Sequence, residues 1–141
     1  MSTPTHILDA ELQQYIETAL WSSNADHLDP EGTGHAGNML AHFDASDFAP
    51  QALASMRADL ADFLASDDEG CQSALRFWRR ELGEGQTGHD FWLTRNSHGC
   101  GFWDRFYNEP GEQFGRMLTA MAKPYGESCL YVGDGGLVYV A

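Results

Sequence analysis

The sequence has no long apolar run, no closely spaced pair of cysteines and almost no positive charge in its first half. No stretch of about 18 apolar residues is present, so we expect no membrane-spanning segment. Residues 1–6 have neither the basic start nor the apolar stretch of a secretory signal, so we expect an intracellular protein. The three cysteines (71, 100 and 129) are odd in number and widely spaced. They exclude a disulfide framework and a Cys-x-x-Cys zinc or redox motif.

The charge is strongly acidic and unevenly distributed. The chain holds 21 acidic and 8 basic residues, a net charge of −13. The first 70 residues hold 13 acidic residues against one basic residue, Arg57, a balance of −12; the remaining 71 hold 8 against 7, a balance of −1. Direct nucleic-acid binding is not expected, because phosphates require clustered Lys and Arg. The charge favours either plain solubility or a partner protein with a basic surface.

Helical patterns dominate the first part of the chain. With 141 residues and 43% apolar residues, the chain suits a single domain with a packed core. Apolar residues at helical spacing predict helices over residues 10–21, from Pro50 to about Ser66, and over 71–82. Pro50 is suited to the first turn of a helix. Residues 1–83 should therefore be mainly helical and acidic.

Strand patterns appear in residues 84–141. Residues 89–95 are rich in strand formers and are predicted to pair with 99–104 as an aromatic hairpin. A fourth helix is expected over 110–123, and a C-terminal β-hairpin turns at the glycine-rich segment 133–136. The predicted fold is α+β, with N-terminal helices packed on a small antiparallel sheet.

Two groups of residues are candidates for function. The first is a set of acids on and after the second helix, predicted to contact a basic partner: Asp59, Asp62, Asp67, Asp68 and Glu69. The second is the polar surface of the aromatic segment: Arg95, Asn96, His98, Asp104 and Arg105.

The aromatic segment carries a resemblance to a known family. Residues 89–96 (HDFWLTRN), His98 with Gly99, and residues 101–105 (GFWDR) resemble the central motif of a family of small bacteriophage and mobile-element proteins. The resemblance extends over most of the chain, but Ser97 stands where the family has Gly and Cys100 where it has Ala, so Cys100 is not a family nucleophile. It implies phage or prophage origin and the cytoplasm of a host cell. Small acidic proteins of such origin often disable a host factor, including CRISPR or restriction machinery.

The leading hypothesis is an inhibitor that binds a host protein through its acidic surface. The outward acids are too scattered along the helices to predict strict mimicry of DNA phosphates.

Catalysis is the first alternative. His98 would act as a general base oriented by Asp104 or Asp90, with Arg95 and Arg105 holding an anionic substrate. No nucleophile elbow, phosphate loop or zinc-helix motif supports it, and the spacing of potential ligands matches no standard metal site. We therefore expect no metal or cofactor and favour a non-enzymatic function.

A structural or self-assembling accessory protein is the second alternative. Trp92, Phe102 and Trp103 would then be core residues and Arg95 would pair with Asp104. A homo-oligomer would be the expected form.

Overall fold

Residues 3–141, which the computed structural model describes, form five α-helices and one two-stranded antiparallel sheet. The elements in chain order are α1 (Thr5–Trp21), α2 (Pro50–Leu64), α3 (Glu69–Leu82), α4 (Gln86–Arg95), α5 (Gly111–Ala122), β1 (Leu130–Val132) and β2 (Val138–Val140). Helices pack against a small sheet near the C-terminus, which confirms the predicted α+β class. None of the helices in residues 3–141 is long and apolar enough to cross a membrane.

The first three helices follow the apolar patterns of the sequence closely. α1 begins at Thr5, five residues before the predicted start, and Pro4 precedes it. α2 begins at Pro50, as the fixed backbone angle of proline favours. The Asp68 side chain accepts a 2.9 Å hydrogen bond from the Cys71 backbone N–H, capping α3, which ends before Gly83 at φ 87°.

The predicted aromatic hairpin at 89–105 is wrong. Residues 89–95 lie in α4, and residues 99–104 form a loop that ends in a 3-10 turn at Phe102–Asp104. α4 is buried around most of its circumference, so nearly every one of its side chains is in the interior. A helix surrounded in this way has no amphipathic period, and its aromatic and β-branched residues then resemble a strand in sequence.

The C-terminal hairpin is confirmed. Leu130 pairs with Val140, and Val132 with Val138, across a turn at Asp134–Gly136. The sheet is tied to the helical layer because the Ala49 backbone N–H, just before α2, donates a 2.9 Å hydrogen bond to the Val138 carbonyl.

α4 forms the centre of the core. Its Phe91 ring stacks on Phe63 of α2 with centroids 4.2 Å apart, and Phe63 also stacks on Phe102 at 5.7 Å. α1 crosses α4 closely at Gly88, where an added Cβ would lie 2.1 Å from the Glu11 carbonyl oxygen. The motif segment therefore occupies the middle of the fold instead of its surface.

Candidate functional site

Asp90 is the centre of the most densely hydrogen-bonded cluster in residues 3–141. Its fully buried carboxylate accepts hydrogen bonds from Trp78 Nε1 at 2.9 Å, Gln86 Nε2 at 2.9 Å, and Arg105 Nε and Nη2 at 3.1 and 2.6 Å. Burial alone would raise the pKa of Asp90, but the hydrogen bonds from His89, Arg105 and Trp78 hold it below its ordinary value. The Arg105 guanidinium therefore forms an ion pair with a buried carboxylate.

His89, not His98, is the histidine that contacts Asp90. Its Nδ1 lies 3.0 Å from Asp90 Oδ1, and its side chain is 29% exposed beside the exposed ring of Trp21. His98 is exposed and has no hydrogen bond to Asp90 or Asp104. The predicted arrangement of a His98 base oriented by these acids is therefore wrong, because Asp90 is fully buried while His98 is exposed, and Asp104 accepts its hydrogen bond from Tyr107.

Arg95 joins four segments of the chain. Its guanidinium donates to the Tyr15 hydroxyl at 3.0 Å, to Asp59 Oδ2 at 2.8 Å, and to the backbone carbonyls of Tyr125 and Gly126 at 3.0 and 2.9 Å. Burial also raises the pKa of Tyr15 to about 12. The predicted Arg95–Asp104 ion pair is wrong, because the buried Arg95 pairs with Asp59 instead.

The remaining motif residues divide between structure and surface. Asn96 accepts a 2.7 Å hydrogen bond from the Ser128 backbone N–H and donates to the Trp92 carbonyl at 2.9 Å. Asp104 accepts a 3.1 Å bond from the Tyr107 hydroxyl. Trp92 and Phe102 are buried as expected for core residues, but the expectation is wrong for Trp103, which is 48% exposed.

The five candidate acids lie along the end of α2 and the turn into α3, but their environments differ. Asp59 keeps 41% of its side chain exposed, but its carboxylate pairs with the buried Arg95 at 2.8 Å. Asp62 accepts a 2.5 Å hydrogen bond from the Tyr125 hydroxyl. Asp68 caps α3, and this backbone hydrogen bond holds the pKa of Asp68 below its ordinary value. Asp67 is exposed, as is Glu69, which forms an exposed ion pair with Arg76 at 3.2 Å.

One acid of the negative half contributes nothing to the surface. Glu11 is fully buried, where Oε1 accepts a 2.9 Å hydrogen bond from the Gly88 N–H and Oε2 has no partner among residues 3–141. Burial raises the pKa of Glu11, more than the hydrogen bonds from Gly88 and Gly85 lower it. Glu11 lies three residues after Leu8 and four before Tyr15, and this helical spacing on the buried face of α1 is the sequence pattern that could have predicted its burial.

The sequence did not predict the groove that borders β1. One section, of about 500 Å³, is lined by the end of α4 and the start of β1, including Asn96, His98 and Glu127. A second section, of about 410 Å³, is lined by Leu130 and Val132. Both sections share Ser22, so together they form one groove. No local pattern predicts it, because its walls come from segments distant in the chain.

The cysteines and potential metal ligands form no further site. All three cysteines are free; Cys71 is partly buried, and Cys100 and Cys129 are exposed. Within residues 3–141 no group of three His, Cys, Asp or Glu side chains is placed to hold a metal ion. No protein-family model, curated protein or solved structure matches the chain significantly.

Proposed function

We propose that this protein is a phage-type inhibitor that binds a basic, nucleic-acid-binding surface of a host defence protein, of the CRISPR or restriction kind. Binding and not turnover is the proposed activity, and the acids between α2 and α3 are the proposed contact. The supporting observation is that most arginines of the chain already pair with acids of the same chain, so the excess negative charge remains exposed to solvent.

The ion pairs account for most of the positive charge. The arginines that pair with acids of the same chain are residues 57, 76, 80, 95, 105 and 116. Of these, Arg95 and Arg105 are held in the interior or half-buried against Asp59 and Asp90. Neither guanidinium is therefore available to hold an anionic substrate, and this favours an inhibitor that acts by binding over the catalytic alternative.

The turn between α2 and α3 is the most suitable acidic contact. Asp67, Asp68 and Glu69 are consecutive and exposed, and Asp62 lies with Asp67 beside a depression of about 330 Å³. Clustered carboxylates attract a basic surface and accelerate encounter with it, an effect that falls as salt is added.

The test compares two charge-matched variants. The contact variant is Asp67→Asn with Glu69→Gln, which spares the Asp68 cap and the Asp59–Arg95 pair. The control is Glu31→Gln with Asp134→Asn, exposed acids outside the proposed contact that make the same change in net charge. Each is assayed for inhibition of purified CRISPR effector and restriction complexes, and for binding to them, at low and high salt.

We expect the contact variant to bind roughly tenfold more weakly than the control, as loss of two rim charges implies. Equal weakening by both variants would show that net charge acts without a defined surface. Absence of binding and inhibition for the natural sequence would contradict the proposal as a whole.

A further inference from the structure

The outer edge of β1 carries unpaired backbone groups. Cys129 and Ala141 exchange hydrogen bonds, with Cys129 N–H to Ala141 O at 3.2 Å and Ala141 N–H to Cys129 O at 2.9 Å. In an antiparallel ladder every second residue makes such a pair. The N–H and C=O groups of Leu130 and Val132 therefore point away from β2. No hydrogen bond within residues 3–141 reaches them.

The two edges of the sheet differ in this respect. On the far edge of β2, the Val138 carbonyl accepts a hydrogen bond from the Ala49 N–H. The far edge of β1 borders a groove instead, because the section of about 410 Å³ separates Leu130 and Val132 from Ser23 and Met39. An unpaired strand edge beside a groove is the geometry into which an extended peptide adds as a further strand.

One carboxylate, that of Glu127, lies in the wall of the groove. Glu127 lines the section of about 500 Å³, and it also lines a neighbouring depression of about 190 Å³, where Asp59 is already paired with Arg95. A ligand that lies along β1 therefore meets the Glu127 carboxylate at one end of the groove, and no lysine or arginine lines either groove section.

We propose that an extended basic segment of the partner protein adds to the outer edge of β1 as a third strand. This inference rests on the proposed function, in that the partner is basic, and it specifies how part of that partner is held. Backbone hydrogen bonds to Leu130 and Val132 supply the affinity, and the Glu127 carboxylate favours an arginine or lysine side chain at that end of the groove.

A second copy of this chain is the competing occupant. The net charge of −13 disfavours it, because pairing β1 with β1 of another copy brings two strongly negative molecules together. A basic segment gains from the same field. Charge complementarity thus selects a partner segment over self-pairing.

The experiment uses synthetic peptides and amide exchange measured by NMR. The probe is a peptide of about six residues that alternates arginine and valine, a length typical of one strand. A matched peptide with proline in place of valine and with N-methylated backbone nitrogens at the arginines keeps the charge but has no backbone N–H to donate along a strand. Amide protection of Leu130 and Val132 in the full chain is measured with each peptide and with none.

We expect the arginine–valine peptide to slow exchange at Leu130 and Val132 at least about tenfold, and the proline peptide to leave it unchanged. Equal binding of both peptides without that protection would overturn strand addition while leaving the acidic contact of the proposed function intact. Failure of both to bind, or protection of these amides without peptide at concentrations where the chain dimerises, would also overturn it.

A variant provides an independent test. Val132→Pro removes an outward N–H at an edge position, where proline is tolerated in strands, whereas Val132→Ile keeps it. Binding of the arginine–valine peptide should weaken at least about tenfold in the first and change little in the second. Equal affinities in the two folded variants would contradict the inference, and the peptide comparison stands even if Val132→Pro does not fold.

Discussion

Asp90 shows why a charged residue occurs within an aromatic stretch. Both of its oxygens are used by buried or half-buried donors on three segments: Trp78 on α3, Gln86 on α4, and Arg105 in the following loop. A buried carboxylate is tolerated only when its charge is paired and its lone pairs are filled. The motif residues around it therefore meet a requirement of the fold, independent of any ligand.

Removing the charge of Asp90 should be strongly destabilising. In Asp90→Asn one oxygen becomes an amide NH₂, which faces the donors of Arg105 or Trp78, and the guanidinium loses its counter-charge. We expect the free energy of unfolding to fall by about 3–5 kcal/mol, the range for breaking a buried ion pair. Urea denaturation followed by circular dichroism measures it.

Asp104 provides the matched control within the same motif. Its carboxylate accepts one hydrogen bond, from the exposed Tyr107 hydroxyl, so Asp104→Asn should change stability by less than about 0.5 kcal/mol. Similar losses in the two variants would show that the Asp90 cluster has no special part in stability.

At the scale of elements, α4 depends on a glycine that permits close approach to α1. Gly88 places its N–H 2.9 Å from Glu11 Oε1, and its Cα faces the α1 backbone so closely that a Cβ there would lie 2.1 Å from the Glu11 carbonyl oxygen. Backbone cannot yield as a flexible side chain does. The α1–α4 crossing therefore requires glycine.

Gly88→Ala should consequently weaken the fold even though alanine favours helices. Overpacking of this kind costs about 1–3 kcal/mol, measured as a loss in the free energy of unfolding. Gly99→Ala is the control, because no atom outside its neighbours lies within 4 Å of an added Cβ. If Gly88→Ala were as stable as the control, the close helix crossing would be wrong.

The elements also show what sequence patterns can predict. α2, α3 and α5 have one buried face and one exposed face, so the spacing of their apolar residues predicts their bounds to within about two residues. The glycine-rich turn likewise predicts the C-terminal hairpin. α4 is buried on nearly all sides and was mistaken for a strand. The partners of Arg95 and the groove beside β1 depend on segments 30 or more residues apart, which local patterns do not relate.

For the whole molecule, the uneven charge has a meaning that composition alone does not give. Part of the negative half adds little to the surface charge, because Glu11 is buried and the charge of Asp59 is paired with that of Arg95. The nearly neutral half holds the motif that fixes the core, with Arg105 paired inside it. The solvent-facing charge is thus concentrated in fewer acids than the count suggests, among them those after α2.

Self-repulsion among the remaining acids should make the free protein more stable in salt. With 21 acids against 8 bases, and most arginines already in ion pairs, added salt screens more repulsion than attraction. We expect Tm to rise by several degrees between low salt and about 0.5 M sodium chloride, measured by thermal unfolding. Exposed pairs such as Arg57–Asp9 weaken under the same conditions, but each contributes little, about 0–1 kcal/mol. A Tm that falls with salt would mean that attraction within the chain outweighs repulsion, and would remove the excess field on which attraction of a basic partner depends.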